Sequence, residues 1–536
     1  MNAPSDEVQV VTLASWNSQL WQSRAVLPSH LDGSRSLDSG AEPGKLVDGD
    51  AGPTVVLADE ALPADVRAGL ADGSIRQVLA IGQGTAAVAA QSFAAFLADL
   101  VRSSPMRVEA LPATELSGFA LRPDMADTLV VAISQSGTTT DTNRTVDLAR
   151  GRGAAVVAVV NRRNSDLTDK ADGVLYTSDG RDVEMAVPST KAFYAQVAAG
   201  CLLAVALADA VGAEPAPDRG ELLDALRALP DAMAAVLAQR PHIARVAAEL
   251  APPRRYWAVV GNGPNRIAAL ELRIKLSELA YRSIAVDVTE DKKHIDLSAE
   301  PLILVCAAGL SGSTADDVAK EVAIYRAHKA SPIVIASDEQ ARFAAALHVI
   351  SVPATHPRLG FVLTAVAGHL FGYEAALAID AQALPLREAR GAIEDAVGES
   401  ASADGDDLLR SLQPALTSAA TRFFGGLRSS SYDGNLEAST AVRLAAAFRY
   451  ALGIAPLDAY QAEHGRIGTP AVVIDDLTTA LTQGIEELTR PVDAIKHQAK
   501  TVTVGISRTD ETLLQPALVQ AVLLAGAARD RLSYKT

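Results

Sequence analysis

The apolar positions of this chain fall in short runs, separated by longer stretches of helical spacing. Leu129-Val130-Val131-Ala132-Ile133 contains no polar residue, the mark of a strand buried on both faces. A polar turn follows, and then Val146, Leu148 and Ala149 in a helical pattern. Further strands are predicted at 77–81, 155–160 and 174–176, with helices between them. The rhythm then repeats, with strands predicted at 256–260, 302–306, 332–336 and 348–352. Strands alternating with helices imply right-handed crossovers and a parallel sheet. Each array opens with a strand running into a Gly-x-Gly turn, Gly82-Gln83-Gly84 and Gly261-Asn262-Gly263, so a duplicated α/β domain is expected. The segment 32–53 is rich in Gly, Ser and Asp and reads as loop. Beyond the second array, 440–452 and 477–488 are helical in period, 401–407 reads as loop, and 429–434 as a turn. The expected organisation is an extension over 1–72, α/β domains over 73–235 and 236–385, a helix-rich insertion or small domain over 386–490, and a tail over 491–536.

The densest chemistry lies where the 129–133 strand breaks into Ser134-Gln135-Ser136-Gly137-Thr138-Thr139 before the next helix. Hydroxyls and the first free N–H groups of a helix converge there, and the helix dipole adds positive potential. Such a turn suits a small phosphate ester. A Ser/Thr-rich helix cap without a ligand fits the same six residues. Neither Gly-x-Gly turn carries the third glycine of a dinucleotide fingerprint, so both are read as places where backbone approaches a sugar phosphate.

Charge narrows the partners. The 536 residues are 49% hydrophobic and 4% aromatic, with a formal net charge of −16. That balance argues against nucleic acid and anionic membranes as partners, but a local backbone site can still hold an anion. Cys201 and Cys306 both sit in apolar runs and read as small core residues of a reducing compartment. No Cys/His spacing suggests a metal, and no organic cofactor is expected. The first residues, Met1-Asn2-Ala3-Pro4-Ser5-Asp6-Glu7, lack the basic and apolar parts of a signal peptide. The longest apolar run, 197–208, is too short for a membrane span, so a soluble, cytoplasmic protein is expected.

Four separated segments resemble the sugar isomerase (SIS) family, specifically the double-SIS isomerase half of glucosamine-6-phosphate synthase. They are Ser134–Thr139; Val187-Pro188-Ser189-Thr190-Lys191-Ala192-Phe193; Glu271-Leu272-Arg273-Ile274-Lys275-Leu276-Ser277-Glu278, with His294 sixteen residues further on; and the stretch from Val492 to Val504, which contains Ala499 and Lys500. The resemblance implies two tandem doubly wound, flavodoxin-like parallel-sheet SIS domains, with the helix-rich insertion and tail appended. It implies that Ser134, Gln135, Ser136, Thr139 and Thr85 hold a sugar 6-phosphate. Gly84, Ser189, Thr190, Lys275, Glu271 and Ala499 would surround the sugar.

Moving a carbonyl between C1 and C2 of a sugar requires an open ring and transfer of a proton between adjacent carbons, work suited to a positioned carboxylate. The family pattern gives that role to Glu278, ring opening to His294, reached from the other subunit of a homodimer, and Schiff-base formation to Lys500. For each, a plainer reading is open: Glu278 as a surface partner of Lys275, His294 as a solvated loop histidine, Lys500 as a surface lysine. Glu271, Lys275 and Glu278 share one helix face and either tune one another or form a polar stripe. Ala308–Thr314 reads as a degenerate second copy of the phosphate loop, and no partner is evident for His464 or His497.

Three departures from the synthase pattern matter. Position 2 is Asn2 rather than the catalytic cysteine of a glutaminase, so ammonia is expected free or from a separate source. Ala86 stands where a serine is usual, and about 32 residues follow the Lys500 segment. The leading expectation is an isomerase or aminotransferase acting on a hexose 6-phosphate or amino-hexose 6-phosphate. Amino-sugar-phosphate deaminase, deglycase and dehydratase reactions are alternatives, and a non-catalytic sugar-phosphate sensor is the rival outside enzymology.

Overall fold

The protein is described here by a computed structural model covering residues 45–49, 52–178, 189–294, 297–337, 341–399, 405–490, 521 and 524–525. The strands are β1 (Lys45–Gly49), β2 (Gly52–Val56), β3 (Gln77–Gly82), β4 (Arg107–Pro112), β5 (Thr128–Ser134), β6 (Ala155–Val160), β7 (Gly173–Tyr176), β8 (Trp257–Gly261), β9 (Ala285–Asp287), β10 (Leu302–Cys306), β11 (Ser331–Ser337) and β12 (His348–Val352). They divide between two compact units, with the boundary after Arg227.

The first unit holds a five-stranded sheet in the order β4-β3-β5-β6-β7, every pair parallel. In chain order this is 2-1-3-4-5, the flavodoxin-like winding. The second unit repeats it in β12-β11-β10-β8-β9, again all parallel. Central strands are covered on both faces: all positions of β5, β8 and β10 are buried. That burial is why they read as uninterrupted apolar runs.

Three expectations are corrected. The stretch read as loop contains β1 and the start of β2, an antiparallel hairpin pairing Lys45 with Val56 and Gly49 with Gly52. β4 and β9 were not foreseen: both are edge strands, only partly covered, and β4 alternates Arg107 and Glu109 with apolar residues. The supposed loop over 401–407 gives way at Gly405 to a long helix, Gly405–Arg428, whose exposed Asp406 and Asp407 suit the positive end of its dipole. Cys201 and Cys306 are buried thiols outside any disulfide.

The helices Lys191–Val211 and Gly360–Ala381 bury nearly every residue of their lengths. By length and composition Lys191–Val211 and Pro357–Ala381 could each cross a membrane, contrary to the short span expected, but 83% and 89% of their most apolar stretches lie inside the protein. In the second unit Gly360–Ala381 packs along Asn265–Ala280. Glycines permit the close approach: a Cβ on Gly368 would stand 2.3 Å from Leu272 Cδ1, and one on Gly372 2.8 Å from Leu276 Cδ2.

The same unit carries the helical region. Helices Leu384–Glu399, Gly405–Arg428, Ala438–Ala451 and Pro470–Leu488 share a core that includes Leu386, Leu416, Phe423, Leu444, Phe448, Leu477 and Leu481. The turn before Ala438–Ala451 docks it: Asn435 Nδ2 donates to the Pro252 carbonyl at 2.9 Å, and Arg282 donates to the Gly434 carbonyl at 2.8 Å. His464 has a structural partner after all, stacking on Tyr460 with ring centroids 4.2 Å apart.

The two Gly-x-Gly turns are built alike. Their second glycines take positive φ, +56° at Gly84 and +54° at Gly263. Their first glycines admit the following helix: a Cβ on Gly82 would lie 2.6 Å from the Ala86 carbonyl carbon, and one on Gly261 2.4 Å from the Asn265 oxygen. Because the second obstacle is backbone, Gly261→Ala is expected to lower stability by about 1–3 kcal/mol, read as a reduced urea midpoint.

Candidate functional site

In each sheet the first and third strands of the winding are neighbours whose connections leave in opposite directions. Such a switch point opens a crevice at the carboxyl ends of the strands, where doubly wound folds hold ligands. In the first unit it is flanked by the Gly82–Thr85 turn and the Ser134–Thr139 loop. The loop is held by its own polar groups. Ser134 Oγ accepts from Gly137 N at 3.0 Å, and Ser136 Oγ accepts from Thr138 N at 3.2 Å and Thr138 Oγ1 at 3.1 Å. Asn143 Nδ2, one turn into the Thr140–Arg150 helix, donates to the carbonyls of Gly137 and Thr139 at 3.0 and 3.1 Å.

Gly137 is obligatory here, since its φ is +64° and a Cβ would fall 1.9 Å from Ser165 Oγ. Thr139 occupies the N-cap position of Thr140–Arg150 without making a side-chain cap hydrogen bond. An ordinary helix cap would make one. The loop is therefore folded so that hydroxyls stand at a helix start they do not cap, an arrangement suited to an anion.

Asn161, which the sequence reading passed over, braces this loop. Its N–H and that of Arg162 donate to the Gln135 carbonyl at 3.3 and 3.2 Å. Its Oδ1 accepts from Thr177 at 3.4 Å and from Ser178. The available signal was only that Asn161 opens the polar stretch directly after the buried β6 run. Ser189 and Thr190 immediately precede the Lys191–Val211 helix, Thr190 and Lys191 being buried.

The second unit presents a different set. Glu271, Lys275 and Glu278 lie on one face of the Asn265–Ala280 helix, as their spacing predicts. Lys275 Nζ is 3.8 Å from Glu271 Oε1 and donates to Glu278 Oε2 at 3.1 Å. The Glu271 and Lys275 side chains are 0% and 2% exposed, while Glu278 keeps 33% of its surface open. Lys275 is thus no surface lysine, and Glu278 is the member of the row that solvent or a substrate can reach.

Burial pushes the Glu278 carboxyl above its ordinary value, with Lys275 opposing and Glu271 reinforcing the rise. A fourth member comes from the facing helix: His369 Nε2, fully buried, stands 3.6 Å from Glu271 Oε1. Nothing in the sequence linked it to Glu271, because helix pairing and not chain proximity brings them together.

The Gly261-Asn262-Gly263 turn also fixes the helix that ends at His294. Asn262 Nδ2 donates to Thr289 Oγ1 at 2.7 Å, and Thr289 N donates back to Asn262 Oδ1 at 3.1 Å. The Tyr325 hydroxyl donates to the Thr289 carbonyl. His294 closes the Thr289–His294 helix, and its backbone alone is described. Ala499, Lys500 and His497 lie outside the described residues.

The second copy of the loop is used internally: Gly309 N donates to Ser337 Oγ at 3.2 Å, Asn265 Nδ2 to the Ala308 carbonyl at 2.8 Å, and Arg342 to the Gly312 carbonyl at 2.9 Å.

Residues 74–206 match the SIS domain family. The chain is 35% identical over 255 residues to the glutamine–fructose-6-phosphate aminotransferase (isomerizing) of Halobacterium salinarum, covering 47% of this chain and 41% of that protein. It is 34% identical over 270 residues to the enzyme of the same name from Streptomyces coelicolor, covering 49% and 43%. The chain thus carries a SIS domain and is homologous to the isomerase half of these aminotransferases, while spanning about two-fifths of the length of the curated relatives it matches. In fold it resembles the C-terminal domain of glucosamine-fructose-6-phosphate aminotransferase from Francisella tularensis, with a TM-score of 0.56, 17% identity, and coverage of 67% of this chain and 95% of that one.

The charge state of His369 gives a stability test. Burial holds its imidazole below the ordinary value of 6.5, against a smaller upward pull from Glu271. As pH falls through 6.5 the unfolded chain takes the proton first, so stability is lost below that point. The expected slope is up to about 1.4 kcal/mol per pH unit. Urea midpoints measured between pH 5 and 7 should show this loss in the native protein and less of it in His369→Gln.

Proposed function

We propose that the protein is a phosphosugar enzyme of the isomerase type, acting on a hexose 6-phosphate or amino-hexose 6-phosphate by proton transfer between C1 and C2 of the open sugar. The observation that carries this reading is Glu278. It is a partly exposed carboxylate, raised by burial, at the end of a row of otherwise buried charged and polar groups, with its position fixed by a 3.1 Å bond from Lys275. A carboxylate so placed is a good base for a carbon acid, because desolvation raises its proton affinity while the lysine keeps it oriented.

Ser134, Gln135, Ser136, Thr139 and Thr85 are assigned to the phosphate, supported by the uncapped helix start and the bracing of Gln135 by Asn161. Gly84, Ser189, Thr190, Lys275, Glu271 and Ala499 are assigned to the sugar's surroundings, His294 to ring opening and Lys500 to the open carbonyl. These roles rest on the matched motifs.

Exchange of the substrate's C1 or C2 hydrogen with D₂O, followed by NMR on fructose 6-phosphate and glucosamine 6-phosphate, tests the proposal. Glu278→Gln should bind sugar phosphate but exchange roughly 10²–10⁴-fold more slowly. Because burial raises the carboxyl, the acid limb of exchange should lie above that of a solvated glutamate. Thr139→Ala should weaken binding by about 0.5–1.5 kcal/mol with little effect on the bound exchange rate. Undiminished exchange in Glu278→Gln would sink the reading, and saturable binding without exchange in the native protein would favour a sensor.

A further inference from the structure

We infer that His369 is a positioning residue for Glu278: it holds the Glu271 carboxylate in place, and so leaves the Lys275 ammonium free to serve Glu278. The inference rests on the reading of Glu278 as the proton-transfer base. Its physical basis is a row of four side chains, His369, Glu271, Lys275 and Glu278, with successive separations of 3.6, 3.8 and 3.1 Å.

The first three are removed from water. A carboxylate as buried as Glu271 is costly unless cations or N–H donors surround it. Lys275 is a poor sole partner, because every ångström it moves towards Glu271 is taken from its bond to Glu278. The imidazole supplies the second contact. It comes from the facing helix, and Gly368 and Gly372 set how closely that helix can lie. Gly368 directly precedes His369, and Leu272, against which it packs, directly follows Glu271.

An imidazole suits the place because, kept uncharged by its surroundings, it can offer Nε2–H without burying another cation. Among the described residues, the charged groups that shift His369 and Glu278 are Glu271 and Lys275. Of the other charged groups on the facing helix, Glu374 is paired with Arg240 at 2.6 Å and Asp380 with Arg387 at 2.8 Å.

The arrangement makes opposite predictions for two substitutions. With His369→Phe, Glu271 loses the imidazole and draws Lys275 closer, Glu278 loses its cation, and the Glu278 titration should move up by about half a pH unit or more. With Glu271→Gln, the competing anion is gone, Lys275 turns wholly to Glu278, and the titration should move down. Because His369 acts through Glu271, the double variant should behave as Glu271→Gln. His369→Gln, which retains an N–H donor, should remain close to the native protein.

The measurement is ¹³C NMR of protein labelled at the glutamate carboxyls, with the Glu278 signal assigned by its loss in Glu278→Gln, repeated as the pH profile of sugar-phosphate exchange. A His369→Phe titration within about 0.2 pH unit of native, or an upward shift that persists in the double variant, overturns the inference. If His369→Phe does not fold, Glu271→Gln decides: an unmoved or raised Glu278 titration overturns the row. Since the titration needs no turnover, NMR shifts of the expected sign without any exchange would sustain the row and reject the proton-transfer reading. Exchange that depends on Glu278 with an unmoved titration would do the reverse.

Discussion

The constraint on which the second unit turns is the removal of the Glu271 carboxylate from water. Its side chain has no exposed surface, and in such surroundings an ion is tolerated only if other groups replace its hydration. Lys275 lies one turn along the same helix and His369 arrives from Gly360–Ala381. These groups meet where the two helices lie close together, and that closeness demands glycine at 368 and 372. Glu278, at the open end, inherits an environment that is dry on one side and wet on the other. A carboxylate there can be both basic and reachable.

The two sheets have the same winding and open with the same turn, yet their switch points are spent differently. In the first unit Thr139 stands at a helix start without capping it. In the second unit the matching loop is tied down by Ser337, Asn265 and Arg342, and the Gly-x-Gly turn has become an anchor for Thr289 through Asn262. Both loops are bonded internally and both following helices start at an uncapped hydroxyl, Thr139 and Ser311, while the Gly-x-Gly turn of the second unit also supports the helix carrying His294.

Much of this was legible in the chain. Central strands announce themselves because burial on both faces leaves no room for polar residues, and all six were found close to their observed limits, as were the edge strands β7 and β12. The edge strands β4 and β9 lacked that signal, since one side or one end of each is open. The hairpin β1–β2 was hidden because its strands carry Asp48, Gly49 and Gly52 within a Gly- and Asp-rich stretch. In the candidate site, Glu271, Lys275 and Glu278 were legible from three- and four-residue spacing on one helix. His369 and Asn161 were not, because their partners are set by tertiary packing: a histidine within an otherwise apolar helix and an asparagine after an apolar strand carry no mark of what they face.

The docking of the helical region bears on how the second unit comes apart. Asn435 reaches the Pro252 carbonyl, its own Oδ1 receives Arg282 and Arg490, and Gly434 lies so near Pro252 that a Cβ would fall 2.2 Å from the carbonyl oxygen. Arg490 N in turn binds Asp380 Oδ1 at 3.0 Å, tying the end of the last described long helix to Gly360–Ala381. Backbone and guanidinium groups on each side thus bond across the contact. Separating the layers would break these bonds together, so the helices between Leu384 and Leu488 are coupled to the sheet layer of the unit that bears Glu278.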